Sequence, residues 1–458
     1  MKIILLSGGS GKRLWPLSSE ARSKQFLKVL ENRNGQKESM VQRVWAQLES
    51  VGLHKSTIIA TSKSQKDMLQ SQLGSDVPLI VEQERRDTFP AIALSTTYLY
   101  SIEGISLDEV ICILPVDPYV EDHFFNKVKE LEDIIKVSES EMALIGVKPT
   151  YPSSKYGYII PEENNKNLNY LQVNSFQEKP IEAVAKDLIE KNALWNCGVF
   201  AFRLDYIINM LQQKGLPIQY EELNKRYHEL PKISFDYEVV EKTTKRIVLP
   251  YDGYWKDLGT WNTLTDEMAS NQIGRGTICD NSSNTHLINE LDIPVIVLGI
   301  SNIVVAVSPD GILVTDKELS TGIKELIEVD QRPMYEERLW GWYRVLDYSK
   351  KDEYEILTKR ICINKNCTIS YHSHALRTEI WTFISGTGEL VINGKLQQIS
   401  AGDVVKIPTN TQHAIKAITD LEFIEVQSGS ELIEEDVHRI SIDWGDIIDQ
   451  SDFQRKAR

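Results

Sequence analysis

The stretch that decides the fold is KIILLSGGSGKRLWPLSSEARSKQFLK, residues 2–28. Its apolar run at 3–6 predicts a buried strand, and the run stops at a glycine-rich turn at 8–11. Glycines let the main chain approach a ligand closely, and bare backbone N–H groups attract phosphate. Lys12 and Arg13 follow at once, and Lys24 comes after a Trp-Pro turn. These cations can neutralise a polyphosphate as it reacts.

Two familiar phosphate loops do not fit this stretch. A Walker loop requires Gly-x4-Gly-Lys-Ser/Thr, but Lys12 is followed by Arg13, and Leu6 stands at the first glycine position. The dinucleotide fingerprint Gly-x-Gly-x-x-Gly matches Gly9 and Gly11 and then meets Leu14. The loop therefore belongs to another class of phosphate site.

The composition of the chain excludes several classes of protein. The chain has 458 residues and a net charge of −15, and this acidic balance argues against a nucleic-acid partner. Its five cysteines are scattered, without a Cys-x-x-Cys pair, so neither a disulfide framework nor a thiolate zinc site is expected. No apolar stretch has the length of a signal peptide or membrane span, so we expect a cytoplasmic protein without a membrane partner.

The hydrophobic patterns predict three domains. Residues 1–270 alternate apolar strands with helical stretches, which is typical of an α/β domain with a mainly parallel sheet covered on both faces. Residues 271–335 carry short β-rich runs between Gly, Asn and Asp turns, which indicates a small β linker module. Residues 336–450 alternate in the manner of a compact all-β barrel.

The first motif resembles the signature of sugar-phosphate nucleotidyltransferases, in particular the mannose-1-phosphate guanylyltransferases. That signature reads Gly-Gly-x-Gly-Thr-Arg-Leu-Trp-Pro-Leu-Ser, then Pro-Lys-Gln-Phe-Leu; here Lys12 replaces Thr and Ser23 replaces Pro. The resemblance implies a Rossmann-like domain that transfers GMP from GTP to α-D-mannose 1-phosphate, giving GDP-mannose and pyrophosphate. It further implies a homo-oligomer.

The resemblance also assigns roles around the nucleotide. Arg13 stabilises the leaving pyrophosphate, Lys24 contacts the phosphates, and Asp117 and Asp257 hold Mg²⁺, in Leu-Pro-x-Asp and Asp-x-Gly-x-Trp motifs. Glu82 lies in a segment expected near the nucleoside, where a carboxylate accepts from the N–H edge of guanine; Asp87 there replaces the usual Asn. The nucleotide-binding residues expected are Gly8, Gly9, Gly11, Lys12, Glu82 and Arg86.

The sugar phosphate needs carboxylate and amide partners for its hydroxyls, and glycine for close approach. Three short segments around Tyr-Gly-Tyr, Glu-Lys-Pro and Trp-Asn-Cys-Gly, together with a later acid, match family positions at this site. They give the expected sugar-phosphate residues Gly157, Glu178, Lys179, Asn196 and Asp236.

The last domain carries its own metal pattern. His372 and His374 sit two apart on a predicted strand and face one side. Glu379 and His413 can complete a divalent-metal site with open positions, as in cupins, for a transition metal such as Zn²⁺.

This half resembles a type II phosphomannose isomerase, with departures. Ser370 stands where the relatives carry a glutamine, and the interval from the two histidines to Glu379 is longer than in the relatives. Asp446 stands where the relatives' terminal Tyr-Gly-Arg has its arginine, which leaves Arg377 and Arg439 as substitute cations. Three alternatives to a plain guanylyltransferase therefore stay open. They are a bifunctional enzyme that also interconverts mannose 6-phosphate and fructose 6-phosphate, a transferase for another sugar such as a manno-heptose phosphate, and a non-catalytic sugar-nucleotide sensor.

Overall fold

A computed structural model describes residues 1–9, 11–20, 22–162, 169–327, 332–433 and 436–449. Its first part is an α/β unit in which helices flank one large sheet. The strands are β1 (Lys2–Ser7), β2 (Leu30–Glu31), β3 (Lys37–Glu38), β4 (Thr57–Ser62), β5 (Leu79–Glu82), β6 (Val110–Pro115), β7 (Pro118–Val120), β8 (Met142–Val147), β9 (Tyr158–Pro161), β10 (Leu171–Gln177), β11 (Leu194–Arg203), β12 (Arg246–Tyr251) and β13 (Trp255–Asp257). The helices are α1 (Met40–Ser50), α2 (Lys66–Leu73), α3 (Thr88–Ser101), α4 (Phe124–Val137), α5 (Glu182–Glu190), α6 (Leu204–Gln213), α7 (Tyr220–Lys225) and α8 (Trp261–Thr265).

Nine of these strands form one sheet in the order β5-β4-β1-β6-β11-β8-β12-β10-β9. The pairs from β5 to β6 are parallel, and so is β8 with β12. β11 runs antiparallel to both β6 and β8, and β10 is antiparallel to β9 and β12. The sheet is thus mixed as a whole, because β8 to β11 include successive strands without an intervening crossover helix.

The sheet is buried on both faces, as the apolar runs predicted. Ile3 and Leu5 of β1 pack into one hydrophobic cluster with α1 and α4, whereas Ile4 packs into the opposite cluster with α3 and α6. All three side chains are fully buried, and each such burial stabilises the fold by about 1.5–3 kcal/mol. The carboxyl ends of β1, β4, β5 and β6 consequently open at one edge, where ligands bind in sheets of this kind.

A short module of stacked strands follows. It consists of β14 (Gln272–Ile273), β15 (Gly276–Ile278), β16 (His286–Asn289), β17 (Val295–Val297), β18 (Ile303–Ser308) and β19 (Gly311–Asp316). β14, β16 and β18 pair in parallel, as do β15 and β17, so successive coils lie on one another as in a solenoid. Leu287, Val305 and Val307 fill its interior. We call residues 272–316 the β module.

The last part is an all-β barrel of two antiparallel sheets. Its strands are β20 (Tyr335–Arg338), β21 (Gly341–Lys351), β22 (Tyr354–Ile363), β23 (Thr368–Ser373), β24 (Arg377–Ser385), β25 (Thr387–Ile392), β26 (Lys395–Ser400), β27 (Val404–Ile407), β28 (His413–Ala417), β29 (Leu421–Gly429) and β30 (His438–Ser441). One sheet has the order β20-β21-β22-β29-β24-β27 and the other β26-β25-β28-β23-β30. Trp381, Phe383 and Phe423 pack between them. The predicted barrel is confirmed.

Candidate active site and candidate metal centre

The glycine loop follows β1 directly and is shaped by its packing. Gly11 has φ 64°, and a methyl on it would lie 1.8 Å from the carbonyl oxygen of Ser19, so only glycine fits there. At Gly8 and Gly9, by contrast, no described atom lies within 4 Å of the position that a methyl would take. The main chain at Gly8 and Gly9 is therefore open on the side where a ligand would approach.

Gly8 and Gly9 line a cavity of about 540 Å³ at the carboxyl ends of β1, β4, β5 and β6. Three other residues singled out in the sequence reach the same cavity: Glu82, Arg86 and Asp117. Two further lining residues, Ser62 and Lys232, carried no signal in the sequence because they come from separate parts of the chain, whereas Arg85 and Thr88 lie in the same segment as Glu82 and Arg86. The volume suits a nucleoside with part of its phosphate chain.

Glu82, which is expected to accept hydrogen bonds from the guanine base, already has a hydrogen-bond partner. Its Oε2 accepts a hydrogen bond of 2.7 Å from the hydroxyl of Tyr227, which lies 145 residues further along the chain. Burial raises the pKa of Glu82, and the bond from Tyr227 opposes that rise. The orientation of the carboxylate is thereby fixed before any ligand binds.

Arg86 and Asp87 shape the rim of this cavity. Arg86 donates to Glu84 at 2.9 Å and to the carbonyl of Leu230 at 2.6 Å, which holds its guanidinium in place. Asp87 has φ 72° and caps the first turn of α3, where it accepts from the backbone N–H of Thr88 at 2.8 Å. The replacement of Asn by Asp thus retains a helix-capping role.

A second cavity of about 260 Å³ adjoins the first, and Pro115 and Asp117 line both. It brings together most of the remaining residues singled out in the sequence, which are Arg13, Lys24, Gly157, Glu178, Lys179, Asn196, Asp236 and Asp257. Lys12 is not among the described residues that line either cavity. The two cavities therefore form one bipartite cleft whose boundary is at Asp117.

Lys24 bridges the two predicted metal-binding carboxylates. Its Nζ lies 2.9 Å from Oδ2 of Asp117 and 3.1 Å from Oδ1 of Asp257. Burial alone would lower the pKa of Lys24, but the two carboxylates raise it; Lys24 in turn lowers the pKa of Asp117 against the opposing effect of burial. The antiparallel pairing of β13 with β7 sets Asp257 opposite Pro118, next to Asp117.

The donor set at this boundary fits Mg²⁺. Two carboxylates converge on a single point, and hard oxygen ligands from one or two acids, completed by phosphate and water, are what Mg²⁺ takes in nucleotide sites. Arg13 lies beside Asp257, since a methyl on Gly259 would meet both Asp257 Oδ2 at 2.9 Å and Arg13 Nη1 at 3.4 Å. Cations and carboxylates thus share the boundary between the cavities.

The far end of the second cavity is polar and partly unpaired. Lys179 donates to Glu178 Oε1 at 2.5 Å, while the buried Glu178 Oε2 has no hydrogen-bond partner among the described residues. Asn196 donates to Asp236 at 2.7 Å. Burial, and after it the charge of Glu178, raises the pKa of Asp236 to about 7. An unpaired buried acceptor is costly unless a ligand donates to it.

The last domain brings three histidines together. The ligating nitrogens of His372, His374 and His413 lie within 4.8 Å of one another, and the Nε2 atoms of the first two are 3.0 Å apart. Each Nδ1 lies against a backbone carbonyl, of Ser370, Asp436 and Thr411 respectively. A carbonyl can only accept, so each Nδ1 carries the proton and each Nε2 presents a lone pair.

Three converging Nε2 atoms fit a divalent transition metal, and that of His374 also accepts from Arg377 Nη2 at 3.2 Å. Burial and the neighbouring histidines lower the pKa of His372 to about 2. Burial lowers the pKa of His374 and of His413 to about 4 in each case. The side chains are therefore neutral near pH 7, the form that binds metal. His413 Nε2 is buried and has no partner among the described residues.

Glu379 reaches the cluster but is already engaged. Its Oε1 lies 3.2 Å from His374 Nε2 and accepts from Arg377 Nε at 2.9 Å, and its Oε2 lies 3.7 Å from His413 Nε2. The other substitute cation, Arg439, donates to the hydroxyl of Ser370 at 3.3 Å. The Arg377–Glu379 ion pair neutralises one predicted ligand, and the two residues stand two apart on β24, so that their side chains face one side.

The class of the protein follows from comparison with known families. Residues 2–272 match the nucleotidyl transferase family, and residues 328–442 match the C-terminal domain of mannose-6-phosphate isomerase. The first match covers more than half of the chain. The chain therefore belongs to the nucleotidyl transferase family and carries a second, cupin-like domain.

Individual relatives extend over nearly the whole chain. The xanthan biosynthesis protein XanB of Xanthomonas campestris is 29% identical, covering 96% of this chain and 98% of that protein. A mannose-1-phosphate guanylyltransferase of Salmonella montevideo is 27% identical over 96% of this chain and 99% of its own. The alginate biosynthesis protein AlgA of Pseudomonas aeruginosa is 28% identical over 96% of each chain.

One solved structure resembles this chain over most of its length. It is described as mannose-1-phosphate geranyltransferase from Thermus thermophilus, is 27% identical, and aligns with a TM-score of 0.58 over 71% of this chain and 97% of its own. Among the described helices of this chain, none has the length and apolar character needed to cross a membrane.

Proposed function

We propose that this enzyme transfers GMP from GTP to α-D-mannose 1-phosphate, giving GDP-mannose and pyrophosphate. The observation that carries the proposal is the bipartite cleft, in which Lys24, Asp117 and Asp257 meet at the boundary of a nucleoside-sized cavity and a polar one. Relatives of nearly equal length that are named mannose-1-phosphate guanylyltransferases support the same reaction.

In the proposed reaction, a phosphate oxygen of the sugar phosphate attacks the α-phosphorus of GTP. The bond to the β-phosphate breaks, and its electron pair leaves with pyrophosphate. Such transfers depend on positioning and charge neutralisation more than on covalent chemistry. Arg13 and Lys24 supply the positive charge, the former toward the leaving pyrophosphate and the latter at the boundary.

In this proposal the base of GTP occupies the first cavity, and its phosphates extend to the boundary with the second cavity, which Arg13 and Lys24 line. Gly8 and Gly9 bring the backbone to the phosphates, Gly11 makes the tight turn that follows them, and Glu82 and Arg86 face the nucleoside. Glu82 is suited to accept from guanine because Tyr227 fixes its orientation. Asp117 and Asp257 would hold Mg²⁺, which supplies further neutralisation of phosphate charge when bound. Lys12 stays a weaker assignment, since it is not among the described residues that line either cavity.

The sugar phosphate occupies the second cavity in this proposal. Glu178 Oε2 accepts from a sugar hydroxyl, and Lys179 is near enough to pair with the phosphate. Asn196 and Asp236 form a hydrogen-bonded pair that offers both donor and acceptor groups. Gly157 leaves the space between Glu178 and Asn196 open.

The test is pyrophosphate release by the purified full chain with Mg²⁺, over a grid of nucleoside triphosphates against hexose and heptose 1-phosphates. We expect the maximum at GTP with mannose 1-phosphate. A maximum at a heptose phosphate would keep the reaction but change the substrate. No release with any pair would favour a non-catalytic sugar-nucleotide sensor. Arg13→Ala and Asp257→Asn should each lower turnover by about 10²–10³ without unfolding the protein.

A second activity is favoured by one observation, the converging Nε2 atoms in a domain that matches an isomerase family. In that case the enzyme is bifunctional, and His372, His374 and His413, with Glu379 beside them, hold a divalent transition metal such as Zn²⁺. Fructose 6-phosphate formation from mannose 6-phosphate should then be abolished by His374→Ala, while pyrophosphate release survives. No isomerisation by the metal-loaded parent would refute this second activity.

Two further expectations belong to the same proposal. GTP and sugar phosphates are cytoplasmic metabolites, so we place the enzyme in the cytoplasm. The homo-oligomer also stays a prediction, and light scattering of the purified chain in solution decides it.

A further inference from the structure

The loop at 12–24 carries both proposed catalytic cations but little regular structure in its described residues. They contain one 3-10 turn at Lys12–Leu14, and a second 3-10 turn begins at Lys24. Phosphoryl transfer requires cations that are placed within a fraction of an ångström, and a misplacement of 1 Å can cost about a hundredfold in rate. Something outside the loop must therefore hold it.

The β module supplies one anchor through a partly buried ion pair. Arg22 donates from Nη1 to Glu290 Oε2 at 2.9 Å and from Nη2 to Glu290 Oε1 at 2.8 Å. The Arg22 side chain is only 12% exposed, and Tyr335 of β20 lies against it, 5.2 Å from its guanidinium carbon. Two-pronged pairs of this kind fix geometry as well as charge. Arg22 stands two residues before Lys24.

The β module supplies a second anchor near Arg13. The hydroxyl of Ser308 donates to the carbonyl of Pro16 at 2.7 Å in a buried setting. The ring of Trp15 packs against Gly311, since a methyl on Gly311 would meet the ring at 2.5 Å. On the other side, Trp261 donates to the carbonyl of Trp15 at 3.2 Å.

We propose that the β module is a working part of the transferase site, in which Glu290 and Ser308 are positioning residues that clamp the loop of Arg13 and Lys24. The expected loss of turnover rests on the proposed function, whereas the expected loosening of the loop does not. Removing the Glu290 charge would leave the largely buried Arg22 without the carboxylate that both of its terminal nitrogens contact, and losing one partner of such a pair is unfavourable. The loop would shift or loosen, and with it both cations.

The kinetic test uses Glu290→Gln in the full chain. We expect kcat for pyrophosphate release to fall by about tenfold to hundredfold, with KM for GTP and for mannose 1-phosphate each changed less than about threefold. A merely structural role would instead lower the active fraction through unfolding, which circular dichroism and thermal melting report. The control is Glu103→Gln, which breaks the ion pair with Lys2 at the opposite end of β1 and should leave kcat unchanged.

Hydrogen exchange gives a readout that needs no activity. Amides at 11–24 should exchange about threefold or more faster in Glu290→Gln than in the parent or in Glu103→Gln. If Glu290→Gln does not fold, Ser308→Ala replaces it, with the same expectations at about threefold in kcat. A folded variant with parental exchange at 11–24 overturns the inference. A parent that is inactive on every substrate pair refutes the proposed function but leaves this exchange result to decide the clamp.

Discussion

Gly157 offers a way to perturb the sugar end of the cleft without changing any functional group. Its backbone accepts an L side chain, but a methyl there would lie 2.4 Å from Glu178 Oε2, 2.8 Å from Cζ of Phe176 and 3.4 Å from Cβ of Asn196. Gly157→Ala therefore pushes on the proposed sugar-binding carboxylate. The carboxylate, the amide and both cations of the cleft all remain present.

The size of the effect follows from these distances. Ordinary contact begins near 3.4 Å, so the Glu178 carboxylate must move by about 1 Å. It has little freedom to do so, because Lys179 holds Oε1 at 2.5 Å and Glu241 accepts from the Glu178 backbone N–H at 2.9 Å. A misplacement of about 1 Å can cost about a hundredfold in rate, so kcat/KM for mannose 1-phosphate should fall roughly tenfold to hundredfold.

The assay is steady-state pyrophosphate release, with each substrate varied while the other is saturating. We expect KM for mannose 1-phosphate to rise and KM for GTP to stay within about twofold of the parent, because the proposed GTP site is the other cavity. Gly322→Ala is the matched control, since no described atom lies within 4 Å of its methyl position. Gly8→Ala is the reciprocal variant, which should raise KM for GTP alone. A folded Gly157→Ala protein with parental KM for the sugar phosphate would refute this placement of the sugar.

Three further predictions concern charge and metal. Lys24→Met should lower kcat by about 10²–10³, measured by pyrophosphate release, because it removes the cation between the two proposed metal-binding carboxylates. Burial and Glu178 raise the pKa of Asp236 from 3.8 to about 7, so the folded protein binds this proton more tightly than the unfolded chain does. The free energy of unfolding should therefore fall as pH rises through that range. Urea titrations should show a smaller fall for Asp236→Asn than for the parent. His413→Ala should reduce bound transition metal from about one per chain to near zero by elemental analysis, with transferase turnover in excess Mg²⁺ unchanged.

Each of these predictions has a result that would contradict it. Turnover equal to that of the parent in Lys24→Met would show that Lys24 has no catalytic role. Equal pH slopes in parent and Asp236→Asn would show that the proton is held elsewhere. Full metal content in His413→Ala would mean that the three Nε2 atoms are not the metal site.

The sequence predicted those parts of the site that depend on local pattern. The apolar run of β1, the glycine turn and the acid after β6 all lie where parallel strands end, and parallel strands end at one edge. The short β-rich runs after residue 271 were also predicted as strands. Their parallel stacking was not, because the same alternation suits hairpins and solenoid coils, and only long-range pairing distinguishes them.

Long-range partners could not be predicted for the same reason. Nothing near Glu82 in the sequence indicates its contact with Tyr227, which comes from a turn beyond α7. Nothing in the signature loop indicates the contact of Arg22 with Glu290. Both partners are set by how separate elements pack, which a single sequence does not encode in any local spacing. Each changes the chemistry of the residue it contacts, by orienting a carboxylate in one case and by holding a loop in the other.

The metal centre shows how one spacing rule yields two results. Side chains two apart on a strand face one side, which placed His372 and His374 together. The same rule applies to Arg377, Glu379 and Trp381 on β24, and there it sets an arginine and an indole N–H on the predicted acidic ligand, at 2.9 Å and 3.2 Å. A carboxylate whose charge is already neutralised by Arg377 is a weaker ligand than a free one. The three histidines are therefore the stronger part of the candidate metal site, and Glu379 is held beside them by its own strand.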